Sequence, residues 1–202
     1  AVGLIVGARL GYVLFYQYNN YAAYLKNPVE IIATWHGGMS FHGGFVGAVF
    51  AGWLFAHRRK MPFWAMAACA AVTGPIGLGL GRIGNFINGE LFGRPTDVPW
   101  AMVFPDGGPL ARHPSQLYEA FVEGIVVFAI IYLYRKRKAF EGELILRYGV
   151  AYGIGRGLVE FYRAPDAQIG YLAGEWLTLG MSLSFGMAAL SALLWLYFRK
   201  TM

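Results

Sequence analysis

Six stretches of this 202-residue chain, at about 1–17, 40–57, 63–86, 115–134, 144–162 and 176–198, are long and apolar enough to be read as membrane-spanning helices. A helix rises about 1.5 Å per residue, so roughly 17–25 apolar residues are needed to cross the hydrocarbon layer. A soluble bundle would need polar faces, and the last stretch, WLTLGMSLSFGMAALSALLWLYF, has no charged face at all. Only 14% of the residues are charged, against about 25% in soluble domains. Strict apolar–polar alternation persists nowhere, so strands are not expected. The fold class that follows is all-α, a polytopic membrane helical bundle with six spans.

The connections give an orientation. Basic runs follow the second, fourth and sixth spans: His57-Arg58-Arg59-Lys60, Arg135-Lys136-Arg137-Lys138 and Arg199-Lys200. The other connections, 18–39, 87–114 and 163–175, hold only Lys26, Arg94, Arg112 and Arg163. Basic runs collect on the cytoplasmic side, so these three connections are expected to face outward. The net charge of +6 is then an orientation signal and not a nucleic-acid footprint. Residues 1–202 read as one transmembrane domain. The chain opens on Ala1 inside an apolar run, without the basic stretch and cleavage site of a signal peptide. It is therefore expected to be N-terminally truncated. Gly3, Gly7 and Gly11, Gly149, Gly153 and Gly157, and Gly77 with Gly81 recur every four residues, a spacing that lets helices approach closely in lipid.

The residues that spans should exclude are the informative ones. Arg9, Arg82, Arg147 and Arg156 lie within spans, with Glu119, Glu123 and Glu160. Four mid-helix arginines would cost on the order of 10–14 kcal/mol on insertion scales, as much as the whole stability of many domains, about 5–15 kcal/mol. They must pair with carboxylates, line a cavity or sit near an interface. Arg9 and Arg147, near span ends, are expected to snorkel in structural roles. Arg82 lies in GLGLGRIGNFINGELFGR, with Asn85 on the same helical face and Glu90 and Arg94 beyond. Tyr148, Tyr152, Arg156 and Glu160 form a polar ladder at four-residue spacing, which Arg163 extends by about a turn; an Arg156–Glu160 pair would equally suit a structural clip between helices. Glu119 and Glu123, like charges four apart, call for cationic partners, and the embedded arginines are the candidates.

His36 and His42 lie in the string TWHGGMSFHGG, where glycines at a helix start expose backbone N–H groups. No G-x-S-x-G nucleophile and no H-E-x-x-H or Cys/His metal spacing is present, and the single Cys69 reads as a small packed hydrophobe. An Arg-rich set with Asn, Tyr, His and Glu toward the outer span ends suits an anionic head group, because guanidinium pairs phosphate bidentately and stays charged. Such a set would also serve a transporter or channel for an anionic solute, although no inverted repeat is visible.

GRIGNFINGELFGR, HGGMSFHGG, RHPSQLYE and GRGLVEFYRAPD, in this order, resemble the bacterial prolipoprotein diacylglyceryl transferase family. The resemblance runs over nearly the whole chain. It implies transfer of the diacylglyceryl group of phosphatidylglycerol to the lipobox cysteine thiol of a preprolipoprotein, forming a thioether and releasing glycerol phosphate. It also implies a multi-pass protein of the bacterial inner (cytoplasmic) membrane, an active site toward the outer leaflet, and seven spans in a complete chain. Carried over by motif, Arg82 would bind the phosphate and Arg156 would stabilise charge on the departing group. Asn85 and Glu90 would orient glycerol hydroxyls or the arginines, with Gly93 permitting the turn beside them and Arg163 adding to substrate binding. His42 is the candidate base for the thiol, with Tyr152, Glu160 or thiol ionisation promoted by the arginines alone as alternatives. The partners implied are phosphatidylglycerol, the lipobox segment and the bilayer, with no nucleic acid, metal or organic cofactor. The family can carry an acidic residue early in the third span, where this chain has Ala68.

Overall fold

The computed structural model describes residues 1–15, 17, 21–164, 171–174 and 176–201, with backbone alone at 15, 22, 23, 41, 42 and 173. It is mostly helical and divides into two compact units, Ala1–Met66 and Ala67–Met202.

In the first unit, α1 (Val2–Phe15) packs on α4 (Phe41–Arg59), with the short helices α2 (Tyr21–Lys26) and α3 (Val29–Ile32) between them in sequence. The expected glycine stripe makes the α1–α4 contact. A Cβ on Gly11 would lie 2.7 Å from the Gly43 Cα, and one on Gly47 would lie 2.8 Å from the Gly7 Cα. Any side chain there would force the backbones apart. Ser40 caps α4, its hydroxyl accepting from the Gly43 N–H at 3.2 Å. Arg9 does not snorkel. It is 5% exposed, and its guanidinium donates to the carbonyls of Glu30, Ile31, Gly37 and Gly38 at 2.5–3.0 Å. The structural role holds, but it is that of an internal bracket for the loop carrying His36.

The second unit takes up most of α5 (Phe63–Ile87), followed after a long connection by α6 (Ser115–Glu119), a π-helical segment Ala120–Val126 and α7 (Val127–Tyr134). Then come α8 (Glu143–Val159), a 3-10 turn at Glu160–Tyr162, and α9 (Leu179–Thr201). Ala71, Val127, Ile131 and Leu144 form the buried core, with Ala68 and Tyr148 against it. The methyl at position 68 thus packs against a core. On α8 the second glycine stripe works as expected: Cβ atoms on Gly153 and Gly157 would collide with the Ser184 carbonyl and the Phe185 ring of α9. Gly77 and Gly81 do not behave this way. Nothing lies within 4 Å of either, so that pair leaves open space.

One expectation is corrected. Strands β1 (Tyr171–Ala173) and β2 (Leu177–Thr178) form a small antiparallel ribbon. Residues 176–178 therefore belong to a turn and strand, and the last helix starts at Leu179. The sequence signal fails because two- and three-residue strands are too short to show alternation. The expectation of six spans is met only in part. Among the described residues, three helical stretches are long and apolar enough to cross a membrane: Phe63–Ile87, Ser115–Tyr134 and Leu179–Thr201. At about 1.5 Å per residue, the 14 residues of α1 fall short of the hydrocarbon thickness. The 17-residue α8 contains Glu143, Arg147 and Arg156, and α4 ends in His57, Arg58 and Arg59.

Candidate functional site

The site lies within the second unit and begins with two glycines. Gly79 of α5 and Gly124 of the π segment meet backbone to backbone: a Cβ on Gly124 would lie 2.9 Å from the Gly79 Cα. That approach sets Arg82, three residues along α5, against the acidic face of the neighbouring helix. The Arg82 Nε lies 2.6 Å from Glu119 Oε2 and 3.6 Å from Glu123 Oε2. From α8, the Arg156 Nε lies 3.6 Å from Glu123 Oε1, and its Nη1 lies 2.5 Å from Glu160 Oε2. Arg163 Nη1 stands 3.9 Å from Glu119 Oε1. Three guanidinium groups thus surround three carboxylates. The expectation that Glu119 and Glu123 take the embedded arginines as partners is met.

This cage is poorly satisfied. Among the described residues, eight buried side-chain polar atoms have no hydrogen-bond partner, and six belong to Glu119, Glu123, Arg156 and Glu160. The close Arg82–Glu119 and Arg156–Glu160 contacts are ion pairs without hydrogen-bond alignment. All six atoms lie within 3.9 Å of an opposite charge, so the cage is ion-paired but not fully hydrogen-bonded, and such a concentration calls for an explanation. Glu160 is the best anchored carboxylate. Thr178 donates its hydroxyl to Glu160 Oε1 at 2.9 Å, and Gly180 makes room for the carboxylate at the start of α9. Arg156 and Glu160 lie on one helical run, so their pair clips no two helices; the Thr178–Glu160 bond ties that run to β2. Tyr148 and Tyr152 stack at 5.7 Å between ring centres on the same ladder.

The connection 87–114 folds over this region by backbone pairing. The left-handed turn at Gly89 (φ 70°) and Leu91 (φ 56°) ends α5. Glu90 then points back to Asn85 and Asn88, whose amides donate to its Oε1 at 2.8 and 3.3 Å. These donors hold the Glu90 carboxyl below its ordinary range. Asn85, half-buried, and Glu90, exposed, are therefore joined to each other. Gly93 serves a close approach of backbones. It bridges to Arg163, and a Cβ there would meet the Tyr162 and His113 carbonyls at 2.5 and 2.6 Å. The Arg94 Nε donates to the Arg163 carbonyl at 2.9 Å, and Gln116 Nε2 donates to the Glu90 carbonyl at 2.7 Å.

Two apolar cavities flank the π segment. One, of about 340 Å³, is lined by Gly79, Leu80, Ile83, Leu117 and Phe121 among others. The second, of about 540 Å³, is lined by Trp100, His113, Leu117, Tyr118, Phe121 and Tyr162 among others. His113 faces the Tyr118 hydroxyl at 3.2 Å, and burial pushes its imidazole below the usual value. Sequence reasoning missed His113, Gln116 and Tyr162 as parts of this region. Gln116 and His113 stand in the quoted string RHPSQLYE, which was the available signal. The His42 side chain lies outside the described residues, as do 18–20, 165–170 and 175 of the expected outward loops. Among the described residues, no cluster of three or more His, Cys, Asp or Glu could hold a metal.

Apolar helices around a charged cluster define a mostly helical protein of multi-pass membrane character that keeps ionic chemistry among apolar elements. The chain belongs to the prolipoprotein diacylglyceryl transferase family, whose model matches residues 1–197. It is 51% identical to the phosphatidylglycerol–prolipoprotein diacylglyceryl transferase of Brucella anthropi, over 98% of this chain and 70% of that protein. Identity to the protein of the same name from Nitratidesulfovibrio vulgaris is also 51%, over 98% of this chain and 73% of the relative. For the Brucella ovis protein it is 52%, over 98% and 70%.

Proposed function

We propose that this chain transfers the diacylglyceryl group of phosphatidylglycerol to a prolipoprotein, and that the guanidinium–carboxylate cage is where the phosphate is held. The family and its relatives' names support the transfer and its two substrates. An anion transporter or channel is not favoured. The observation that carries the cage's role is the six buried polar atoms around Arg82 and Arg156 that are ion-paired but lack an aligned hydrogen bond. A phosphodiester supplies acceptor oxygens that two guanidiniums can satisfy together.

In this reading the acceptor is the thiol of the lipobox cysteine. Its sulfur loses a proton and forms a bond to the glyceryl carbon. The bond from that carbon to the phosphate oxygen breaks, the electron pair leaves on oxygen, and glycerol phosphate departs. Arg82 holds the phosphate, and Arg156 stabilises the charge that grows as it leaves. Arg163 adds positive charge beside Glu119. Asn85, Glu90 and Gly93 form the rim that receives the glycerol head. The acyl chains fit the apolar cavities lined by Leu117 and Phe121. His42, Tyr152 and Glu160 are the bases proposed for the thiol, and Glu160 is already committed to Arg156 and Thr178. The setting is the bacterial inner membrane, with six spans in residues 1–202 as one transmembrane domain and the site toward the outer leaflet. Large side chains such as Leu80, Ile87, Leu190 and Leu193, more than half exposed, then face lipid.

The test is a thioether-forming assay with phosphatidylglycerol and a lipobox peptide. Arg82→Ala should insert normally and lose transfer by about 100-fold or more, the scale seen when one charge-stabilising donor is removed. Normal turnover by that variant would defeat the assignment.

A further inference from the structure

Among the described residues, the charges of the cage balance. Arg82, Arg156 and Arg163 supply three positive charges, and Glu119, Glu123 and Glu160 supply three negative ones. Adding a phosphodiester would leave one uncompensated negative charge among apolar helices, a costly state. One carboxylate must then yield.

The three carboxylates are not equivalent. Glu119 has Arg82 at 2.6 Å, while Glu160 has Arg156 at 2.5 Å and the Thr178 hydroxyl at 2.9 Å. Glu123 is fully buried; like those of Glu119, both its oxygens lack a hydrogen-bond partner, but its nearest guanidinium nitrogens stand 3.6 Å away on either side, with no closer ion pair. The groups facing it are Arg82 from α5, Glu119 from its own run, and Tyr148, Tyr152 and Arg156 from α8. Glu160 lies beyond Arg156. Glu123 is thus the carboxylate with least to lose, and it lies between the two arginines assigned to the phosphate.

We propose that Glu123 is a proton-uptake residue: as the phospholipid's phosphate engages Arg82 and Arg156, Glu123 releases both guanidiniums and takes one proton from water. The carboxylate becomes a neutral carboxylic acid, and the cage keeps zero net charge. Its new O–H can donate to a phosphate oxygen, filling part of the hydrogen-bond deficit around it. This rests on the phosphate reading above and adds that headgroup binding is coupled to protonation at one named atom pair. Arg82 and Arg156 stay charged throughout.

Calorimetry of the full chain in detergent micelles, titrated with a short-chain phosphatidylglycerol in buffers of different ionisation enthalpy, counts the protons exchanged. At pH 8 the wild-type chain should take up about one proton per lipid bound, and its affinity should fall up to about tenfold per further pH unit. Glu123→Gln, a neutral mimic of the protonated acid, should bind with no uptake and no such pH slope. Wild-type binding without proton uptake would overturn the proposal, and that measurement stands whether or not the variant folds. Uptake undiminished in Glu123→Gln would overturn it as well, by placing the proton on Glu119 or Glu160. No binding by the wild-type chain would instead remove the phosphate reading beneath it.

Discussion

At the scale of single residues, what separates a structural charge from a functional one is how well its partners satisfy it. Arg9 donates to four carbonyls. Arg147 pairs with Glu143 at 2.6 Å between the rings of Tyr134 and Trp195, and Trp195 donates to the same carboxylate at 2.9 Å. Both are saturated and read as brackets. Arg82 and Arg156 sit among atoms without aligned partners. The residue types of the cage were legible in the sequence, because seven ionisable groups in apolar runs demand an explanation. The saturation of Arg9 was not, since its acceptors lie more than 20 residues away and belong to backbone. Cys69, expected as a small packed hydrophobe, is exposed; Cys69→Ala should keep most transfer activity in the lipobox-peptide assay. Glu90 gives a prediction with a sign. Its folded carboxyl titrates below the ordinary 4.5 because Asn85 and Asn88 donate to the charged form. The stability it contributes is therefore present above the unfolded value and lost as pH falls through the folded one. Thermal unfolding in detergent should show Glu90→Gln less stable than wild type at neutral pH, with the difference vanishing under acid.

At the scale of elements, glycine periodicity carried most of the packing. The α1 stripe meets its partner closely because the facing positions are also small or backbone, whereas on α8 Gly157 makes room for the Phe185 ring. The same spacing at Gly77 and Gly81 faces open space, since periodicity states that an approach is possible but not that a partner is there. The Gly79–Gly124 contact joins two glycines 45 positions apart with no shared repeat, and the π segment that presents Gly124 has no sequence signature of its own. π segments often accompany functional sites, and this one holds Glu123 beside two arginines. Gly124→Val should push α5 from its neighbour, destabilise the chain by about 1–3 kcal/mol, and weaken transfer more than peptide binding. Matched thermal unfolding and KM-against-kcat measurements check this. The β1–β2 ribbon was invisible because its strands are two and three residues long, yet it places Thr178 on Glu160.

At the scale of the whole molecule, composition alone pointed to a membrane, and three stretches, Phe63–Ile87, Ser115–Tyr134 and Leu179–Thr201, have the length and hydropathy for crossing. The remaining proposed spans carry charges or are short, so length and composition do not decide them. The distribution of basic residues does make a prediction. Cysteines placed one at a time near Arg58, Lys136 and Lys200 in a Cys69→Ala background should react with a membrane-impermeant reagent from the cytoplasmic side only. Those placed near Asn27, Asp106 and Thr96 should react from the opposite side. A mixed pattern would break the six-span topology while leaving the family membership untouched.

The distance between a bound headgroup and the cage decides the account most directly. With arginine side-chain nitrogens labelled and phosphatidylglycerol supplied in the bilayer, phosphorus–nitrogen dipolar recoupling measures that separation by solid-state magnetic resonance. Guanidinium nitrogens within about 4 Å of the phosphorus are predicted, as for a bidentate pair, with the signal reduced in Arg82→Lys and again in Arg156→Lys. A transfer-competent sample in which neither substitution alters the phosphorus–nitrogen coupling would contradict the assignment of the cage to the phosphate.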